Sequence, residues 1–177
     1  MTLITTGQEN LKFVKLCFAN QVEFLLMGGA AVSFYGCREA DGFDDIDLMP
    51  GPSRENSERL MSALKQADVR INNFTVDELQ QPNKRITLKP PSYNYNLDIL
   101  TPRAEWSYAD FQDRSEITML VSVEMRVLSK ADLIITKEWV VKFLESEAAK
   151  APAKAEMLQV QAEKHRRDLI CLRSESK

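Results

Sequence analysis

Three aspartates stand in settings that an ordinary surface acid does not need. Asp45 and Asp47 occur in DDIDLM, and Asp98 occurs in NLDIL. Acids alternating with apolar residues read as a strand with one polar face, and residues two apart leave a strand on the same side. Ile46 and Leu48 then enter a core while Asp45 and Asp47 share the other face. Two carboxylates held that close repel each other unless a cation lies between them. Mg2+ suits such a pair, because it prefers hard oxygen ligands and leaves positions open for phosphates. If the Asp98 strand lies alongside, a third carboxylate completes a second metal site or takes the proton of an attacking hydroxyl. Such a set supports in-line displacement at phosphorus. A solvent-facing strand edge is the competing reading for Asp45 and Asp47, and an ion pair with Arg85 or Lys89 is the competing reading for Asp98.

Gly28-Gly29 closes the apolar run VEFLLM and precedes the small residues AAVSFYG. A strand, a glycine turn and a helix start in that order let backbone N–H groups approach a triphosphate, with a partial positive charge behind them. A plain tight turn is the alternative.

Composition removes other chemistries. The single histidine, His165, lies in a charged helical stretch, so a Ser-His-Asp site is a poor fit. Cys17, Cys37 and Cys171 are odd in number, far apart and without a CxxC pair. Neither a zinc site nor a disulfide framework is expected, and reduced thiols of a cytoplasmic protein are. A net charge of -3 argues against a broad basic surface for nucleic-acid backbones, and DNA is not an expected partner. MTLITTGQENLKF lacks a basic stretch followed by an apolar block, unlike a secretory signal. No apolar run approaches the ~20 residues that cross a bilayer, so no membrane association is expected.

The elements that must position the acids follow from periodicity and breakers. Thr6 can cap a helix over Gln8–Ala19, and residues 22–27 read as a strand, with a short helix over 30–36. Residues 37–43 are polar loop, 44–49 a strand, and Ser53 caps a helix to about 67. A strand is expected over 69–74, a T-x-x-E capping box at 75–78, and strands at Arg85–Leu88 and 94–100. Asp44, a neighbour of the pair, should point away from it. Beyond Thr101-Pro102 the pattern weakens to a strand over 124–129, a helix over 130–145 capped by Ser129, a break or linker at EAAKAPAKAE, and a charged helix over 154–173.

The ordered set of apolar strand, Gly-Gly, small-residue helix, loop with Arg38, DIDL and later LDIL resembles the nucleotidyltransferase superfamily built on the DNA polymerase β-like palm. The resemblance spans about residues 24–100. VLSKADLIITK (127–137) and KHRRDLICL (164–172) resemble the later helices of abortive-infection and toxin–antitoxin members, whereas the loop before Asp45 is nearer in length to antibiotic-modifying ones. The second glycine is followed by Ala30, which offers no hydroxyl to a phosphate.

The resemblance implies an α/β (α+β) fold, a small mixed twisted sheet flanked by helices. A catalytic core over 1–102 would be completed by 103–177, which adds to the sheet and supplies helices, in one compact unit. It implies an NTP substrate, two Mg2+ ions on Asp45, Asp47 and Asp98, and NTP contacts from Gly28, Gly29, Arg38 and Lys137. A nucleoside monophosphate would pass to a small-molecule, RNA or protein hydroxyl. The alternative is a catalytically silent module of the same fold that binds a nucleotide, an RNA or a partner protein. For Lys137 a snorkelling surface position is the competing reading, and for Asp168 an ion pair on a helix surface.

Overall fold

The computed structural model describes residues 3–4, 8–38, 45–70, 75–89 and 92–174. The Thr6 cap, the loop over 39–43, Asp44, and residues 71–74 of the expected strand lie outside the described residues.

Among the described residues, seven strands build one mixed sheet: β1 Leu3–Ile4, β2 Phe24–Met27, β3 Ile46–Pro50, β4 Arg85–Leu88, β5 Leu97–Leu100, β6 Glu116–Leu120 and β7 Val123–Val127. Their order is β1-β6-β7-β2-β3-β5-β4. β2 runs antiparallel to β3 and parallel to β7, β3 runs parallel to β5, and β4 returns antiparallel as an edge. All four residues of β2 are buried, so this strand is covered on both faces. β4 alternates exposed and buried, which leaves Arg85 and Thr87 on its open side.

The helices are α1 Gln8–Ala19, α2 Gly28–Phe34, α3 Arg54–Gln66, α4 Val76–Leu79, α5 Tyr108–Arg114, α6 Lys130–Lys150 and α7 Ala155–Arg173. Ser53 accepts from the Asn56 N–H, Thr75 and Glu78 complete a capping box, and Ser129 accepts from the Asp132 N–H. α1 packs on α3, α2 on α6, and α6 on α7. Lys130 reaching the Ser174 carbonyl, Arg173 pairing with Glu138 and Arg166 pairing with Glu145 make α6 and α7 an antiparallel hairpin.

Several expectations shift. α6 continues through EAAK to Lys150, and the break falls at Ala151, before a 3-10 turn at Pro152–Lys154. Residues 69 and 70 carry no strand. α5, β6 and β1 were not foreseen, because EITML is only five residues long and β1 only two. No helix among the described residues is long and apolar enough to cross a membrane.

Two buried amides fix the strands around the acids. Asn10 of α1 donates to the Asn96 carbonyl at 3.2 Å and accepts from the Asn96 N–H at 2.8 Å. The same carbonyl accepts from the Ile46 N–H at 3.1 Å, so one side chain sets where both β3 and β5 begin. At the other end of β3, Asn56 donates to the Glu23 and Gly51 carbonyls and accepts from the Glu23 N–H.

Candidate metal centre

Asp47 is the second residue of β3, facing Met27 across the antiparallel ladder and Asp98 across the parallel one. Neighbouring strands lie about 4.8 Å apart, so side chains in register on one face meet. Asp45 stands two residues before Asp47 and adds its carboxylate from the same face. One carboxylate oxygen from each of Asp45, Asp47 and Asp98 lies within 4.8 Å of the others. Burial deepens through the set: Asp45 is exposed, Asp47 half-buried and Asp98 1% exposed. Ile46 and Leu48 fill the core as alternation requires.

Gly28 is shaped around this cluster. It has φ +65°, and a Cβ placed on it would lie 1.8 Å from Asp47 Oδ2. The missing side chain therefore makes room for the Asp47 carboxylate itself. Gly29 follows in the first turn of α2.

Protein cations also enter the cluster, all from β4 and its end. Arg85 donates through Nε to Asp98 Oδ1 at 3.2 Å and through a terminal nitrogen to Oδ2 at 2.7 Å. Thr87, which faces Asp98 in the ladder, donates to Oδ1 at 2.6 Å. Lys89 Nζ lies 3.0 Å from Asp45 Oδ2 and 3.3 Å from Asp98 Oδ2. A divalent ion is thus not the sole group able to reconcile the three acids. The ion pair weighed against metal ligation for Asp98 is present, made by both Arg85 and Lys89. Asp47 alone among the three has no cation within ion-pair distance among the described residues.

These surroundings separate the carboxyls. Burial, then the Asp45 and Asp98 charges, push the Asp47 carboxyl up to about 6. Burial also pushes Asp98 upward, but the Arg85 and Thr87 hydrogen bonds and the two nearby cations outweigh it, so Asp98 is held below its ordinary range.

A second charged cluster adjoins the first. Arg38, just past α2, grips Asp168 of α7 with two bonds, at 2.8 and 2.6 Å. Lys137 of α6 donates to Asp168 Oδ2 at 2.9 Å and to His165 Nδ1 at 3.2 Å. An ammonium has only donors, so His165 accepts through Nδ1 and its remaining proton sits on Nε2. Lys137 and Asp168 are each 4% exposed, which rules out both a snorkelling lysine and a helix-surface ion pair. Burial lowers the Lys137 ammonium, and burial with the Lys137 charge pushes His165 down to about 4. The Lys137 charge in turn is felt at Asp47.

The expectation of reduced thiols fails at this spot. Cys37 and Cys171 form a disulfide, with Cα atoms 5.6 Å apart across a separation of 134 residues. The α6–α7 hairpin brings Cys171, one turn beyond Asp168, back to the residue preceding Arg38. Cys17 is free and buried.

Arg38 and Lys137 therefore meet each other around Asp168, while Arg85, Thr87 and Lys89 meet the acids. The sequence did carry a signal for the latter: in RITLK, positions 85, 87 and 89 are two apart and share one strand face. A groove of about 250 Å³ lined by Phe18, Glu23, Ile117 and Arg126, among others, opens at the opposite end of β2 from the acids.

No protein-family model and no curated protein sequence matches this chain. Among solved structures it is similar to the crystal structure of an antigenic nucleotidyltransferase-like protein from Paracoccidioides brasiliensis. The two are 12% identical with a TM-score of 0.44, over 94% of this chain and 77% of that one.

Proposed function

We propose that Asp45, Asp47 and Asp98 hold a divalent cation, and that the chain transfers a nucleoside monophosphate from an NTP to a hydroxyl-bearing acceptor. The observation that carries this reading is the convergence of three carboxylates, from β3, the residue just before it and β5, to within 4.8 Å. The donor set fits a hard cation such as Mg2+: oxygen ligands only, one carboxylate seated against a glycine that admits no Cβ, and a lysine ammonium already standing between two of them. When bound, Mg2+ supplies positive charge to the triphosphate and to the attacking and leaving oxygens. Asp98, held ionised by Arg85 and Thr87, is kept in the form that ligation needs. Arg38 and Lys137 are joined through Asp168, which fixes the buried ammonium where its charge acts on Asp47. The motif resemblance, from the Gly-Gly turn through DIDL to LDIL, supplies the assignment of the transferred group. The acceptor would be a small molecule, an RNA or a protein.

The test is pyrophosphate release from each of the four NTPs with Mg2+, compared between the native protein and Asp45→Asn. Release that needs Mg2+ and disappears in the variant supports the proposal, and equal release from both contradicts it.

A second reading has its own observation. Arg85 and Lys89 already pair with Asp98 and Asp45, so two of the three acids have protein counter-charges without any metal ion. On that reading the chain is a silent module that binds a nucleotide, an RNA or a partner protein. Absence of both metal binding and pyrophosphate release would favour it.

A further inference from the structure

We infer that Lys89 is a displaceable counter-ion: it occupies the cation position among the carboxylates of the metal-free protein, yields it to a divalent ion, and passes to the polyphosphate that arrives with that ion. The inference rests on the metal-site reading above. Its basis is where the ammonium stands and how it is held.

Lys89 Nζ bridges Oδ2 of Asp45 and Oδ2 of Asp98, at 3.0 and 3.3 Å. It therefore links the acid just before β3 to the acid in β5. Of the three acids, Arg85 bonds to Asp98 alone, through two parallel bonds. That fork is directional and satisfies one carboxylate from its outer side, whereas an ammonium is a compact point charge on a flexible stem. The backbone differs as well. Arg85 is the first residue of the β4 ladder, paired with Leu100, while Lys89 follows Leu88, the last ladder residue, and is outside it. The Lys89 side chain is 31% exposed and can reach water without any strand moving.

Charge count selects which cation leaves. Three ionised carboxylates with Arg85 and Lys89 in contact leave one net negative charge. A divalent ion added with both side chains in place turns the cluster net positive. With Lys89 withdrawn, the same ion brings it to neutrality. The released ammonium stays beside the site, where the negative charges of a metal-bound polyphosphate are the strongest nearby attraction. Lys89 thus opposes the bare ion, which binds the more weakly for it, and favours the ion that arrives with phosphates.

The experiment is calorimetric titration of the full metal-free chain with Mn2+ alone, then with the Mn2+ complex of inorganic tripolyphosphate. The proteins are native, Lys89→Gln, Lys89→Met and Asp45→Asn, each with its thermal midpoint recorded. The inference expects Lys89→Gln and Lys89→Met to bind bare Mn2+ about 5- to 10-fold more tightly than native, and the tripolyphosphate complex several-fold more weakly. A merely structural lysine would not move the two affinities in opposite directions. If native protein binds Mn2+, Asp45→Asn does not, and neither Lys89 variant tightens binding, the counter-ion role is overturned while the metal site stands. If native and Lys89→Gln both fail to bind Mn2+, the metal site and the counter-ion role fall together.

Discussion

Replacing Asp47 by Asn should stabilise the metal-free protein and abolish its metal binding. Burial and the charges of Asp45 and Asp98 push the Asp47 carboxyl from its ordinary 3.8 to about 6. A carboxyl raised on folding holds its proton in the folded state at pH values where the unfolded chain has lost it. Stability therefore falls as pH rises through the window from about 4 to 6, and the loss is complete above it. At 1.36 kcal/mol per tenfold, and reduced for the partial exposure of Asp47, the loss at pH 7.5 is about 2–3 kcal/mol. Asn carries no charge and keeps the shape, so Asp47→Asn should recover that amount and raise Tm by roughly 5–10 °C in a chain of this size. The two proteins should converge below about pH 4, where Asp47 is protonated in both folded and unfolded native chains. His165, pushed down to about 4, weakens both proteins alike as pH falls from 6.5, and so cancels in the difference. Saturating Mg2+ should stabilise the native chain, by about 2.7 kcal/mol at a hundredfold excess over Kd, and leave Asp47→Asn unmoved. Thermal unfolding with and without Mg2+ across about pH 3 to 8 reads all of this. A variant that melts lower than native at pH 7.5 without metal would refute the electrostatic reasoning.

Gly28→Ala should lower Mn2+ affinity at least tenfold, because its Cβ would fall 1.8 Å from Asp47 Oδ2, and should cost about 1–2 kcal/mol for the left-handed backbone; unchanged affinity by calorimetry would contradict it. Asp168→Asn strips the counter-charge from buried Lys137 and from Arg38, so a loss of about 3–5 kcal/mol is expected in denaturant unfolding, and a loss below about 1 kcal/mol would contradict it. Unfolded without reductant, the chain should show one titratable thiol, from Cys17, and with reductant three; three in both conditions would rule out the Cys37–Cys171 bond. Reduction should destabilise the protein by roughly 4–5 kcal/mol on loop-closure grounds, read as a lower Tm.

The acids were legible because Asp in an apolar strand needs a reason, and a period of two places 45 and 47 on one face. Their meeting with Asp98 depended on the register of β3 with β5, which Asn10 helps set through a bond to a carbonyl 86 residues away. No local pattern announces that bond. Gly28 was legible as a glycine that mattered, but what it makes room for is a side chain of the protein itself. Arg38, Lys137 and Asp168 were each visible as charged residues on or near helices. The burial of Lys137 and Asp168 was not, since it arises only when the α6–α7 hairpin folds onto the end of α2. The same folding unites Cys37 with Cys171, which sequence separation had hidden. α5 and β6 lay in a stretch without strong periodicity and emerge from the pairing of β6 with β7 and β1.

The proposed joint hold of Asp45, Asp47 and Asp98 on a divalent ion is open to crystals grown without metal and soaked in Mn2+, through the anomalous scattering of that ion. A peak bonded to oxygens of all three carboxylates is expected, with Lys89 swung away from Asp45 and Asp98. An empty map at this position, with Lys89 still bridging the two acids, would contradict it.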